Sequence, residues 1–174
     1  MKKSSLALFL LFALGLSLYA QDSVTRSSAL PKTDGVVTAG EYQYTKTVSG
    51  MSIGVTLGND DLLYLSIVAP TTGWVALGVG GRVMDGSRLF LAYDSEGKKF
   101  FTEQLGSGHS HSDAPPVAKK WAVLNADGST TFELVLPASL AMVGGNLDVL
   151  ASYGATTAFV HHVARTSFAL AVKN

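Results

Sequence analysis

From position 51 onward, apolar residues alternate with small or polar ones, and the alternation halts at short intervals on Gly, Asn, Asp or Pro. Met51, Ile53, Val55 and Leu57 run into Gly58-Asn59-Asp60, and Leu63, Leu65 and Ile67 run up to Pro70. Trp74 to Val79 stops at Gly80-Gly81, and Leu89, Leu91 and Tyr93 stop at Asp94-Ser95-Glu96-Gly97. Further runs cover Lys98 to Leu105, Trp121 with Val123, Phe132 to Leu136, Leu147 to Tyr153, Phe159 to Val163 and Ser167 to Val172. A period of two sends every second side chain to one face of an extended strand. A helical period would need apolar residues three and four apart, and only Pro137 to Val143 offers that, over no more than a turn or two. About ten short strands with tight turns predict an all-β fold, an antiparallel β-sandwich, immunoglobulin-like in architecture. The long irregular stretch is Gly106 to Pro116, GSGHSHSDAPP, and a loop of that length in a compact domain points to function.

The first 20 residues have a different grammar. Lys2 and Lys3 precede an almost wholly apolar run from Leu6 to Leu18, and Ala20 precedes the polar Gln21-Asp22. A positive start, a short apolar core and a small residue before a polar segment form the pattern of a signal peptide. The run is shorter than the roughly 20 residues a spanning helix needs. The expected organisation is a signal peptide at 1–20, a polar N-terminal tail at 21–33 and one sandwich domain at 34–174. The mature chain is then expected in the periplasm or outside the cell, with no membrane span. Taking away Lys2 and Lys3 leaves 11 basic residues against 13 acidic ones. That balance carries no footprint for nucleic acid. The chain has no cysteine, which excludes thiolate catalysis, iron–sulfur clusters, cysteine zinc sites, covalent haem attachment and lipid acylation at the cut.

Chemistry must therefore come from Met, His, carboxylates or hydroxyls. Trp74 in GWVALGVGG reads as a core aromatic, and Met84 lies outside any alternating run, among Arg82, Asp85, Gly86 and Ser87. His161 and His162 are adjacent, so on a regular strand they point to opposite faces unless a bulge intervenes. By that parity His161 shares a face with Phe159 and Val163. His109-Ser110-His111, with Asp113 nearby, is a two-imidazole pair of the kind that grips zinc or copper, or else a solvated loop. Glu41, Asp60, Asp61 and Asp85 read as turn or surface carboxylates. No G-x-S-x-G, H-E-x-x-H or phosphate-cradling loop is present, and the expectation is a protein that is not an enzyme.

The segment from Gly73 to Pro116 resembles the DOMON family: GWVALGVGG, then Met84 with Gly86-Ser87, then RLFLAYD, then a glycine- and histidine-containing stretch ending in Pro115-Pro116. HHVARTSFAL resembles the family's closing strand, and DGVVTAGEYQY resembles the opening of related domains. The resemblance implies a sandwich that binds haem b without covalent attachment, or else a sugar or another small ligand. In the haem reading Met84 and His161 are the axial ligands, with His162 as the fallback. His161 is preferred for its spacing to Arg165. Trp74 and Phe159 would pack the macrocycle and Arg165 would meet a propionate. A thioether and an imidazole on one iron favour the reduced state and suit electron transfer, to a redox partner protein not identified by the sequence. The alternative is a haem-free binding module using Trp74, Trp121 or tyrosines as platforms, with His109 and Asp113 as polar contacts. A third reading makes Met84 and the histidines packing residues of a structural or adhesion domain.

Overall fold

The structure, a computed structural model, describes residues 22–173. The expected signal peptide lies outside the described residues. Thirteen strands follow one another: β1 (Ser23–Ser27), β2 (Tyr44–Val48), β3 (Met51–Gly58), β4 (Leu62–Ala69), β5 (Val75–Val79), β6 (Arg88–Ser95), β7 (Lys98–Ser107), β8 (Ser110–Asp113), β9 (Lys120–Ala126), β10 (Ser129–Pro137), β11 (Met142–Val143), β12 (Asn146–Gly154) and β13 (His162–Lys173). The one helical turn among the described residues is a 3-10 turn at Ala138–Leu140. It falls inside the segment expected to be helical.

One sheet has the order β8-β7-β6-β5-β12-β13 and the other is built from β2-β3-β4-β10-β9. Pairing within each is antiparallel, and β11 folds back on β12. The all-β sandwich read from the alternation is the fold. Its inner faces carry the alternating residues, among them Ile53, Val55, Leu65, Ile67, Val75, Leu77, Phe90, Phe132, Leu134, Val149 and Leu170, all buried in one cluster. Full burial of such a side chain stabilises by about 1.5–3 kcal/mol, so a core of this size replaces the disulfides the chain lacks.

Three expectations are corrected. The described part of the expected tail, residues 22–33, is not a tail: β1 pairs in parallel with β13 through Ser23↔Ala171 and with β3 through Arg26↔Leu57, joining the two sheets, and Val24 is buried. A five-residue strand with one buried apolar side chain has too little alternation to register in the sequence. Gly106 to Pro116 is not an irregular loop either. It begins as the end of β7, turns at Gly108-His109 and returns as β8, with Ser107 opposite Ser110. Phe159 to Val163 is not a separate strand: residues 155–161 arch out of the ladder, and one long β13 starts at His162.

The outer face of the second sheet is closed by the chain before β2. Tyr42 packs there on Tyr64 and Val135. Glu133, fully buried, accepts hydrogen bonds from the backbone N–H of Asp34 (2.9 Å) and Gly35 (2.7 Å) and from the Tyr42 hydroxyl (2.8 Å). Gly35 sits at φ +93°, and a Cβ there would press on Leu124 at 3.0 Å, which explains the Asp-Gly pair at the start of this cover.

Candidate functional site

The outer face of the first sheet is apolar where a solvated sheet would be polar. Opposite the core-facing side chains of β5, β6 and β7, the register places Ala76 and Gly78, Leu89, Leu91 and Tyr93, and Phe100, Thr102, Gln104 and Gly106. Trp74, at the entry to β5, belongs to this face, not to the core between the sheets. It is buried with Ala76 and Leu91, and Leu89, Tyr93 and Phe159 pack against them. Phe159 reaches this cluster because residues 155–161 arch back over the sheet. Its ring centroid lies 6.1 Å from Trp74, 5.8 Å from Tyr93 and 5.7 Å from Phe100, and Tyr93 and Phe100 stack at 5.0 Å. The base of the arch is held by backbone hydrogen bonds, Trp74 N–H to the Thr156 carbonyl and Gly154 N–H to the Trp74 carbonyl, both 2.9 Å. Gly154 must be glycine here, since a Cβ would run into the Trp74 indole. Two buried polar atoms on this face have no partner, Trp74 Nε1 and Gln104 Oε1. Buried donors and acceptors are normally paired, so these two atoms set this face apart from the rest of the described structure.

Met84 stands at the opposite end of the same face, on a turn clamped to β7. Gly86 N–H donates to the Gly106 carbonyl (3.0 Å), Gly106 N–H to the Ser87 carbonyl (2.9 Å), and Ser87 N–H to the Met84 carbonyl (3.1 Å). The Ser87 hydroxyl donates to the Val83 carbonyl and Asp85 Oδ1 accepts from Gly108 N–H at 2.8 Å. A Cβ on Gly106 would collide with the Met84 carbonyl and lie 3.0 Å from its Cγ. Met84 is thus half-buried on a rigid turn with its thioether free.

A bulge intervenes at the histidines. Tyr153 pairs with Ala164, but Gly154 pairs with His162, so Val163 is the extra residue and simple parity fails. His162 faces Gly154 beside Trp74, and His161 precedes it at the end of the arch that carries Phe159. Both are exposed, and no hydrogen bond holds either imidazole. Arg165, opposite Ser152, is exposed and has no ion-pair partner. The structure therefore brings Trp74 and Phe159 together, places Arg165 one strand beyond β12, and leaves Met84 and the histidines at opposite ends. The rung of Gly106 meets β6 at position 87 and the rung of Trp74 meets it at 93, about 20 Å apart along the strands.

Sequence reasoning passed over two carboxylates. Glu103, buried, accepts from Val117 N–H and Ala118 N–H (2.9 Å each) and pairs with Arg88 at 3.3 Å, which also donates to the Pro115 carbonyl. It bolts the crossover between the sheets. Glu133 bolts the N-terminal cover, and burial pushes its carboxyl above the usual carboxylate range against the pull of its three donors. Each is a charge at an alternating inner or outer position of a strand, and that misfit with the pattern was the available signal. Among the described residues, no three of His, Asp and Glu converge to hold a metal. Two surface grooves, beside Asp60 and Asp61 and beneath Thr156, contain none of the candidate ligands. No helix among the described residues is long and apolar enough to cross a membrane.

No protein-family model matches the chain, and no curated protein does. Solved structures do share its fold. The cytochrome domain of Myriococcum thermophilum cellobiose dehydrogenase superposes with a TM-score of 0.57 at 13% identity, covering 75% of this chain and 81% of that one. The cytochrome b domain of pyranose dehydrogenase from Coprinopsis cinerea superposes with a TM-score of 0.53 at 12% identity, covering 69% of this chain and 75% of that one.

Proposed function

We propose that the protein is an exported, haem b-binding electron-transfer domain, with the haem seated on the outer face of the first sheet. The observation that carries this reading is that face itself. It has an apolar floor with two orphaned polar atoms, a free thioether at one end and two free imidazoles at the other. The likeness in fold to two cytochrome domains supports it. The residue types suit the group, since a soft sulfur and a neutral nitrogen are ligands that hold a low-spin haem iron, but their separation in this structure does not. When bound, the haem supplies a one-electron couple. The chain supplies the rest. Met84, on its clamped turn, presents sulfur without reorganisation. His161, or His162 if the bulge keeps it nearer the face, presents the second ligand. Leu89, Leu91 and Ala76 exclude water, and Arg165 offers its unpaired guanidinium to an anionic edge. Met84 and the histidines stand at opposite ends of the face, and the hydrogen bonds at the base of the arch oppose its shift toward Met84, so ligation by both would need a rearrangement of that arch.

The test is reconstitution of the purified chain with haem. The expected result is a sharp low-spin spectrum that is lost in Met84→Ala and in the variant of the ligating histidine. A wild-type protein that takes up no haem overturns the reading. Export is tested separately by sequencing the N-terminus of protein made in an exporting host, with a start at Gln21 expected. As for the haem-free sugar-binding alternative, Trp74 is only 6% exposed and offers no open platform, whereas Trp121, stacked on Phe101 at 4.9 Å, is 37% exposed.

A further inference from the structure

The β7–β8 hairpin gathers donors that the haem reading does not use. Gly106 turns both its N–H and its carbonyl toward the Gly86-Ser87 side. In an antiparallel ladder, such a residue faces its neighbour on the other side as a non-hydrogen-bonded pair, the kind that brings side chains closest. That neighbour is His111. Gly106 has no side chain, and the place its Cβ would take is crowded by Met84, whose Cγ lies 3.0 Å from it. Met84 therefore covers the outer-face position of Gly106, the cross-strand partner of His111. His109 stands at the turn of the same hairpin, two positions before His111, about 7 Å along the chain. The neighbours of these residues are tied together, since Asp85 accepts from Gly108 at 2.8 Å. Both imidazoles are exposed, and no hydrogen bond holds either.

We propose that Met84, His111 and His109 form a copper(I) site at the β7–β8 hairpin. One thioether and two imidazoles are a soft, neutral donor set, which selects copper(I) over zinc, calcium or magnesium. The nearby carboxylates each have one oxygen occupied, Asp85 Oδ1 by Gly108 N–H and Asp113 Oδ1 by Gln104 Nε2 at 3.2 Å. No three of His, Asp and Glu converge among the described residues, so the sulfur decides the metal. The proposal does not rest on the haem reading, although both use the sulfur of Met84 and the two occupants exclude each other there.

The experiment titrates the purified, haem-free chain with copper(I) in competition with a bicinchoninate chelator, with circular dichroism confirming that each variant is folded. One equivalent of copper(I) is expected to bind. His111→Ala and Met84→Leu are each expected to weaken it by at least about tenfold, the size that loss of even an outer-shell partner costs a metal site. His162→Ala and Met142→Leu are expected to bind as the wild type does. Failure of the wild type to bind, or wild-type affinity in either His111→Ala or Met84→Leu, overturns the proposal. Haem uptake read in the same variants separates the two sites. His111→Ala loses copper and keeps the low-spin haem spectrum, whereas loss of haem binding by the wild type leaves the copper result standing.

Discussion

Replacing Gly106 by alanine tests how the candidate site is held. The added Cβ would collide with the carbonyl oxygen of Met84 and press on its Cγ. A side chain can rotate away from such a contact, but a backbone carbonyl on a clamped turn cannot, so the whole turn must shift. Two ladder hydrogen bonds go with it, Gly86 to Gly106 at 3.0 Å and Gly106 to Ser87 at 2.9 Å, each worth about 1 kcal/mol net. Overpacking adds about 1–3 kcal/mol, so the expected loss is about 3–5 kcal/mol by the two principles together. For a domain of this size, each kcal/mol lowers Tm by about 2–4 °C. Thermal unfolding followed by circular dichroism measures it, with Gly78→Ala as the control. There a Cβ meets Leu89 Cδ2 at 3.0 Å and Leu150 at 3.2 Å, ends and flanks of flexible side chains on the same face, and the cost should stay near about 1 kcal/mol. Because the turn carries Met84, Gly106→Ala should also weaken haem and copper(I) binding. A variant that melts with the wild type, or less far below it than Gly78→Ala, refutes the argument that this glycine positions Met84.

Other perturbations read other parts of the fold. Trp74→Phe removes a buried N–H that has no acceptor, and this offsets the lost volume; it should cost less than about 1 kcal/mol in urea unfolding, against about 3–5 for Trp74→Ala. Equal losses in the two variants would mean that the indole N–H is paired. Glu103→Ala leaves Arg88, Val117 N–H and Ala118 N–H without their acceptor, and should lose about 3–5 kcal/mol and expose 114–119 to limited proteolysis. Glu133 has its carboxyl raised by burial. Its contribution to stability is therefore fully present below the unfolded carboxylate pKa and declines as pH rises through the folded value. Unfolding free energies measured from about pH 4 to 7 should contain this declining component, and Glu133→Gln should lack it; an unchanged profile in the variant would assign the component elsewhere.

Ile53, Val55 and Leu57, or Phe132, Leu134 and Leu136, could be assigned to one inward face before any coordinates, because a strand's side-chain period is two whatever its neighbours are. Trp74 reads from the sequence as a core aromatic or, by the resemblance, as a haem-packing residue, and it lies on the other side of the sheet. The alternation marks which residues share a face but not which face is inner, and on this sheet both faces are apolar. Met84 was legible as an odd residue on a glycine turn. Its anchor was not, since Gly106 lies 22 positions away (84 to 106) and only the β6–β7 register brings them together.

The histidines mark the same boundary. Parity along a strand distinguishes His161 from His162 only if the strand is regular, and one extra residue at Val163 undoes it; a bulge is a property of two strands and leaves no local trace. By itself, the sequence determined the all-β class, the turns and the chemistry open to a chain without cysteine, because these follow from local periodicity and from residue types. The tertiary structure decided that β1 joins the two sheets, that Glu103 and Glu133 are bolts, and that Met84 lies over Gly106, the residue paired with His111. Each of those depends on backbone pairing between residues far apart in the chain, where hydrogen bonds and burial are settled by register and not by the identity of any one residue.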